Sequence, residues 1–68
     1  MNQNQMNQVL DQAEIVLKGR GYTQFERRTE GTEYSSALVY LVATDGNRKA
    51  EAYPRNTKTG VSYTIYED

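Results

Sequence analysis

Apolar residues recur along this chain in three different rhythms. Between Asn4 and Lys18, the residues Met6, Val9, Leu10, Ala13, Val16 and Leu17 fall at intervals of three and one, which places them on one stripe of an α-helix. From Ala37 to Ala43 every position is apolar, the pattern of a strand covered on both faces. From Val61 to Glu67 apolar and polar residues alternate, as in a strand with one wet side.

Punctuation between these runs sets the elements. Asn2 or Asn4 caps the helix, Asp11 and Glu14 stay on its wet side, and Gly19 and Gly21 stop it. Ile15 stands off the main stripe as a widening of the apolar face. A short polar strand anchored by Phe25 follows over 22–29, and Glu30-Gly31-Thr32 links it to its partner, so it reads as a hairpin arm at a sheet edge. The central strand, 34–44, turns at Asp45-Gly46 or Gly46-Asn47 into a strand over 48–53, which Pro54 closes because it has no N–H for a ladder. A polar link over 55–60 leads to the last strand, 61–67. The expected fold is a single α+β domain, an N-terminal helix packed on one face of a four-stranded antiparallel β-meander.

Either central turn keeps the same side chains together, because side chains alternate across a strand. One face carries Ala37, Val39, Leu41 and Ala43 beside Ala50 and Ala52, joined by Val61, Tyr63 and Ile65. Small alanines among branched aliphatics leave room for a close helix, so this face is assigned to it. The other face carries Leu38, Tyr40 and Val42 beside Lys49, Glu51 and Tyr53, with Ser62, Thr64 and Tyr66 beyond. No second helix exists to cover it.

Composition narrows what such a face can do. At 68 residues the core is thin, since a domain near this size buries only about 60% of the surface its unfolded chain exposes. Cysteine and histidine are both absent, which removes disulfides, Cys-based zinc sites and the commonest general base, and no cofactor or metal is expected. Ser35, Ser36 and Ser62 sit on ordinary strands with no nucleophile-elbow pattern. Glu30 with Glu33, and Glu67 with Asp68, match no metal loop, and Gly19-Arg20-Gly21 ends a helix where a phosphate cradle would open one. A non-enzymatic protein is expected. With no basic leader, no apolar leader and no spanning run, no membrane contact is expected either, and the expected location is the cytoplasm.

Two binding readings remain. Leu38, Tyr40, Val42, Tyr53 and Tyr66 make an uncovered patch of rings and aliphatics, a composition suited to a protein partner or to pairing with a second copy, in a small regulator, adaptor or inhibitor. Alternatively, Arg27, Arg28, Arg48, Lys49, Arg55 and Lys58 could converge beside the tyrosines and hold a nucleic acid by charge and stacking. The segment Pro54-Arg55-Asn56-Thr57-Lys58-Thr59-Gly60 is locally similar to the Arg-Asn-Pro-x-Thr-Gly arm of HU-family DNA-bending proteins. The proline is displaced and the family's preceding helical pair is missing, so the likeness is one of turn chemistry. Eight basic against nine acidic residues create no bulk attraction for nucleic acid, and the protein-binding reading is the preferred one.

Overall fold

The computed structural model describes residues 2–31 and 38–68. The start of the expected second strand, including Ala37 of the helix-facing set, lies outside them, as do Thr32 of the first link, Glu33, Ser35 and Ser36. Helix α1 spans Gln3–Gly19, and strands β1 (Gln24–Glu30), β2 (Leu38–Thr44), β3 (Lys49–Thr57) and β4 (Gly60–Glu67) form one antiparallel sheet in the order β1-β2-β3-β4. The helix packs on one face, chiefly over β2 and then over β4 and β3.

Both ends of α1 are chemically closed. Asn2 accepts from the Gln5 amide at 2.8 Å and the Gln5 side chain accepts from the Asn2 amide at 3.0 Å, a reciprocal capping box. At the other end Tyr22 N–H donates to the Leu17 carbonyl (3.1 Å) and Gly21 N–H to that of Lys18 (3.1 Å), which is a Schellman motif with Arg20 as the C-cap. Only one of the two stop glycines takes the left-handed conformation: Gly21 has φ +99°, whereas Gly19 is the last helical residue. A Cβ on Gly21 would also meet the Arg48 guanidinium at 3.2 Å.

The motif corrects one expected boundary. Tyr22 does not open the first strand; it is the residue just after the Schellman glycine, 2% exposed, and it shares the core cluster with Leu17. Its ring lies under the Arg48 guanidinium at 4.6 Å, and its buried hydroxyl has no hydrogen-bond partner among the described residues.

Sheet parity matches the expected division of faces. Met6, Leu10, Ala13 and Leu17 of α1 bury against Val39, Leu41, Ala43, Ala50 and Ala52, with Phe25, Tyr63 and Ile65 packed around them. Val61, assigned to the same side, sits at the periphery and is 37% exposed. Ile15 widens no buried face, because it points away from the sheet and is 70% exposed.

The central turn resolves the open alternative. Thr44 pairs with Lys49, and Asp45 N–H donates to the Arg48 carbonyl (3.2 Å), so Gly46-Asn47 are the turn residues and β3 begins at Lys49, one residue later than expected. Asp45 Oδ1 accepts from the amides of Asn47 (2.8 Å) and Arg48 (2.6 Å), and Oδ2 from the Arg48 side chain (2.6 Å).

Pro54 does not close β3. The strand continues through it to Thr57, Pro54 pairs with Tyr63, and the connection to β4 is only Lys58-Thr59, since Thr57 pairs with Gly60. The proline is tolerated because the β2–β3 ladder ends at Leu41–Ala52, before the missing donor matters.

Two outcomes follow. Leu10→Ala should lower stability by roughly 2–5 kcal/mol in urea unfolding, while Ile15→Ala should change it by less than about 0.5 kcal/mol. Hydrogen bonds from the Arg48 amide, then its side chain, then the Asn47 amide hold the Asp45 carboxyl at about 2, below its usual 3.8. A group depressed in the folded state contributes stability above its unfolded value and loses it as pH falls through the folded one. Melting temperature should therefore drop between about pH 4 and 2, and Asp45→Ala should be less stable near neutrality with a shallower acid limb.

Candidate functional site

The side of the sheet away from α1 is built in rows by the strand registers. Glu26 pairs with Val42 and Glu51 with Tyr66, while Arg28 pairs with Tyr40 and Tyr53 with Thr64. Tyr40 and Tyr53 stack across β2 and β3 with centroids 5.1 Å apart and planes 10° from parallel. Tyr66 meets Tyr53 edge-on at 5.8 Å and 74°. Three rings from three strands thus form one aromatic surface, whose offset and edge contacts suit the ring quadrupoles.

The expected patch is altered at its other two members. Val42 lies on this side but is only 5% exposed, so it is floor rather than contact surface. Gln24, Glu26, Arg28, Thr44 and Lys49 rise around it and bound an open depression with a volume of about 500 Å³. Leu38 is half-buried and packs against the helix-side cluster at the end of β2. The accessible part of the patch is therefore Tyr40, Tyr53 and above all Tyr66, which is 60% exposed.

Charges on this face pair along strands and not across them. Arg28 bonds Glu26 at 3.0 Å and Lys49 meets Glu51 at 3.6 Å, both at i,i+2 spacing. The Tyr53 hydroxyl donates to Glu51. That bond lowers the Glu51 carboxyl and, with partial desolvation, raises the Tyr53 hydroxyl to about 12. Glu51 thereby fixes the central ring of the trio, a role the sequence signals only as two polar-tipped residues two apart on one strand.

The six basic residues do not converge. Arg27 is on the helix side, where it bonds Asp11 (2.6 Å) and Asn7 Oδ1 (2.7 Å). Arg48 sits at the β2–β3 turn, bonded to Asp45 and to the Arg20 carbonyl (2.8 Å). Arg28 and Lys49 are on the tyrosine side with their acids, Arg55, opposite Ser62, is on that side too but exposed further along β3, and Lys58 is in the β3–β4 turn.

Among the described residues no three His, Cys, Asp or Glu side chains are grouped as a metal site would require, and no helix is long and apolar enough to cross a membrane. No family model, no curated protein and no solved structure matches the chain.

The tyrosine–glutamate bond has a spectroscopic outcome. In an alkaline titration followed by tyrosinate absorbance, one of the six tyrosines should ionise only near pH 12, and Glu51→Gln should bring it back toward 10.

Proposed function

We propose that this protein is a small non-enzymatic binding module whose tyrosine-bearing sheet face receives another protein. The observation that supports this reading most directly is the trio Tyr40, Tyr53 and Tyr66 on the side α1 leaves bare, with the stack locked from within by Glu51. Rings held in place before contact lose little side-chain freedom on binding, and tyrosine combines large apolar area with a hydroxyl that tolerates a wet rim. Arg28 with Glu26 and Lys49 with Glu51 are already paired beside the rings, so a partner need not supply a compensating charge for these four. An aromatic surface on which acids and bases are interspersed suits a protein contact better than a phosphate backbone, which calls for basic groups in one place. Regulation, inhibition or adaptation of a larger protein are the roles such a module fills.

The test is a pair of face substitutions against a control on the opposite side. Tyr40→Glu and Tyr66→Glu should each abolish recovery of the protein's partner in affinity capture, whereas Ile15→Glu on the outer side of α1 should leave it intact, with the helical circular dichroism of all three unchanged. Equal recovery by the wild type and both tyrosine variants would overturn the reading. Loss of mass from a dimer in Tyr40→Glu alone, with no other protein captured, would identify the occupant of the face as a second copy.

A further inference from the structure

The two margins of the sheet are chemically unlike. In β1, Glu26, Arg27, Arg28 and Glu30 are charged, and Arg27 points inward to α1, a device that discourages a further strand from pairing. In β4 the one charged residue is Glu67 at its end, paired with Arg20 at 2.6 Å, and before it the sequence Val-Ser-Tyr-Thr-Ile-Tyr is built of β-branched, small and aromatic residues. Among the described residues β4 has one strand neighbour, β3.

The orientation of its free backbone groups can be read from the turn. Thr57 and Gly60 flank the two-residue connection, and Asp68 N–H donates inward to the Lys49 carbonyl at 3.0 Å. Even-numbered residues of β4 therefore face β3 with their backbone groups, and Val61, Tyr63, Ile65 and Glu67 turn theirs outward. The flanks of α1 differ in the same sense. At about 3.6 residues per turn, Asn7, Asp11, Glu14 and Lys18 line the side that meets Arg27 of β1, while the uncharged Gln5, Val9, Gln12 and Val16 line the opposite flank, and the C-cap Arg20 reaches Glu67 at the end of β4 at 2.6 Å.

From these features we infer that β4 pairs antiparallel with β4 of a second copy, about a two-fold axis at Thr64. This register sets Tyr63 opposite Ile65 of the second copy and Val61 opposite Glu67, so every outward donor and acceptor of the strand is used. Thr64 meets its own counterpart and Ser62 meets Tyr66, combinations that suit cross-strand contact. Charge favours a second copy in this direction: Asp68, beyond Glu67 with its Arg20 partner, lies towards the end of the other β4 that begins after Lys58, whereas a parallel arrangement would set the two acidic ends side by side. Both helices lie on one side of the resulting eight-stranded sheet. The two tyrosine faces join on the other, with Tyr66 beside the seam. The pairing rests on the backbone edge of β4 and not on the Tyr40–Tyr53 stack, and it shares Tyr66 alone with the proposed protein-binding trio.

Sedimentation and native mass of the full chain over a wide concentration range test it, with amide hydrogen exchange read residue by residue. The expected result is a dimer in which the Tyr63 and Ile65 amides become protected as concentration rises. Val61→Lys should shift the molecule to monomer, as should Val61→Pro, which removes an outward donor without touching the β3–β4 ladder. Tyr40→Glu should leave the dimer intact. A wild-type chain that stays monomeric, or Tyr63 and Ile65 amides that exchange at one rate at every concentration, would overturn the inference; neither readout depends on a variant folding. A dimer that survives both Val61 substitutions and dissolves on Tyr40→Glu would overturn it in favour of face-to-face pairing.

Discussion

Everything in this molecule depends on how closely one helix can lie on one side of the sheet. Ala43, Ala50 and Ala52 are buried beneath α1, and their small side chains let Leu10 and Leu17 reach the sheet with no exposed area left. The Schellman motif then returns the chain so that Tyr22 closes the end of the same cluster. In a 68-residue chain without disulfides this contact supplies most of the apolar burial. Having spent its one helix there, the chain must manage the opposite side with strand residues alone.

That management is what gives the outer side its character. Val42 is sunk among longer neighbours, the acids and bases are matched two residues apart, and Glu51 holds Tyr53 in the stack. Exposed ion pairs of this kind contribute little stability, about 0–1 kcal/mol each, yet they order the side chains that frame the rings. A side built this way can stay in water without a lid and still present a rigid aromatic surface.

Much of the architecture was legible from periodicity, since a helix stripe and strand alternation are local consequences of backbone geometry. Face assignments of Val39, Leu41, Ala43, Ala50 and Ala52 followed from parity alone, as did Tyr40, Tyr53 and Tyr66 on the other side. What escaped was decided by tertiary neighbours. Pro54 reads as a strand end until one sees that the ladder to β2 has already stopped. Tyr22 reads as a strand residue because the cap geometry that buries it depends on the paired hydrogen bonds from Tyr22 and Gly21. Leu38 changes company at the end of β2, Arg27 finds its acid on a distant helix, and no spacing rule encodes either.

The inward arginine of β1 has a consequence for assembly size. Strand addition is open-ended when both margins of a sheet accept a neighbour, and the product is then a filament. Here the guanidinium of Arg27 is tied to Asn7 and Asp11, so admitting a strand beside β1 would disturb a contact between sheet and helix as well as crowd its charged neighbours. With one margin receptive and the other closed, growth terminates after a single addition, and a chain whose border strand carries charge only at its Glu67 end is kept from polymerising.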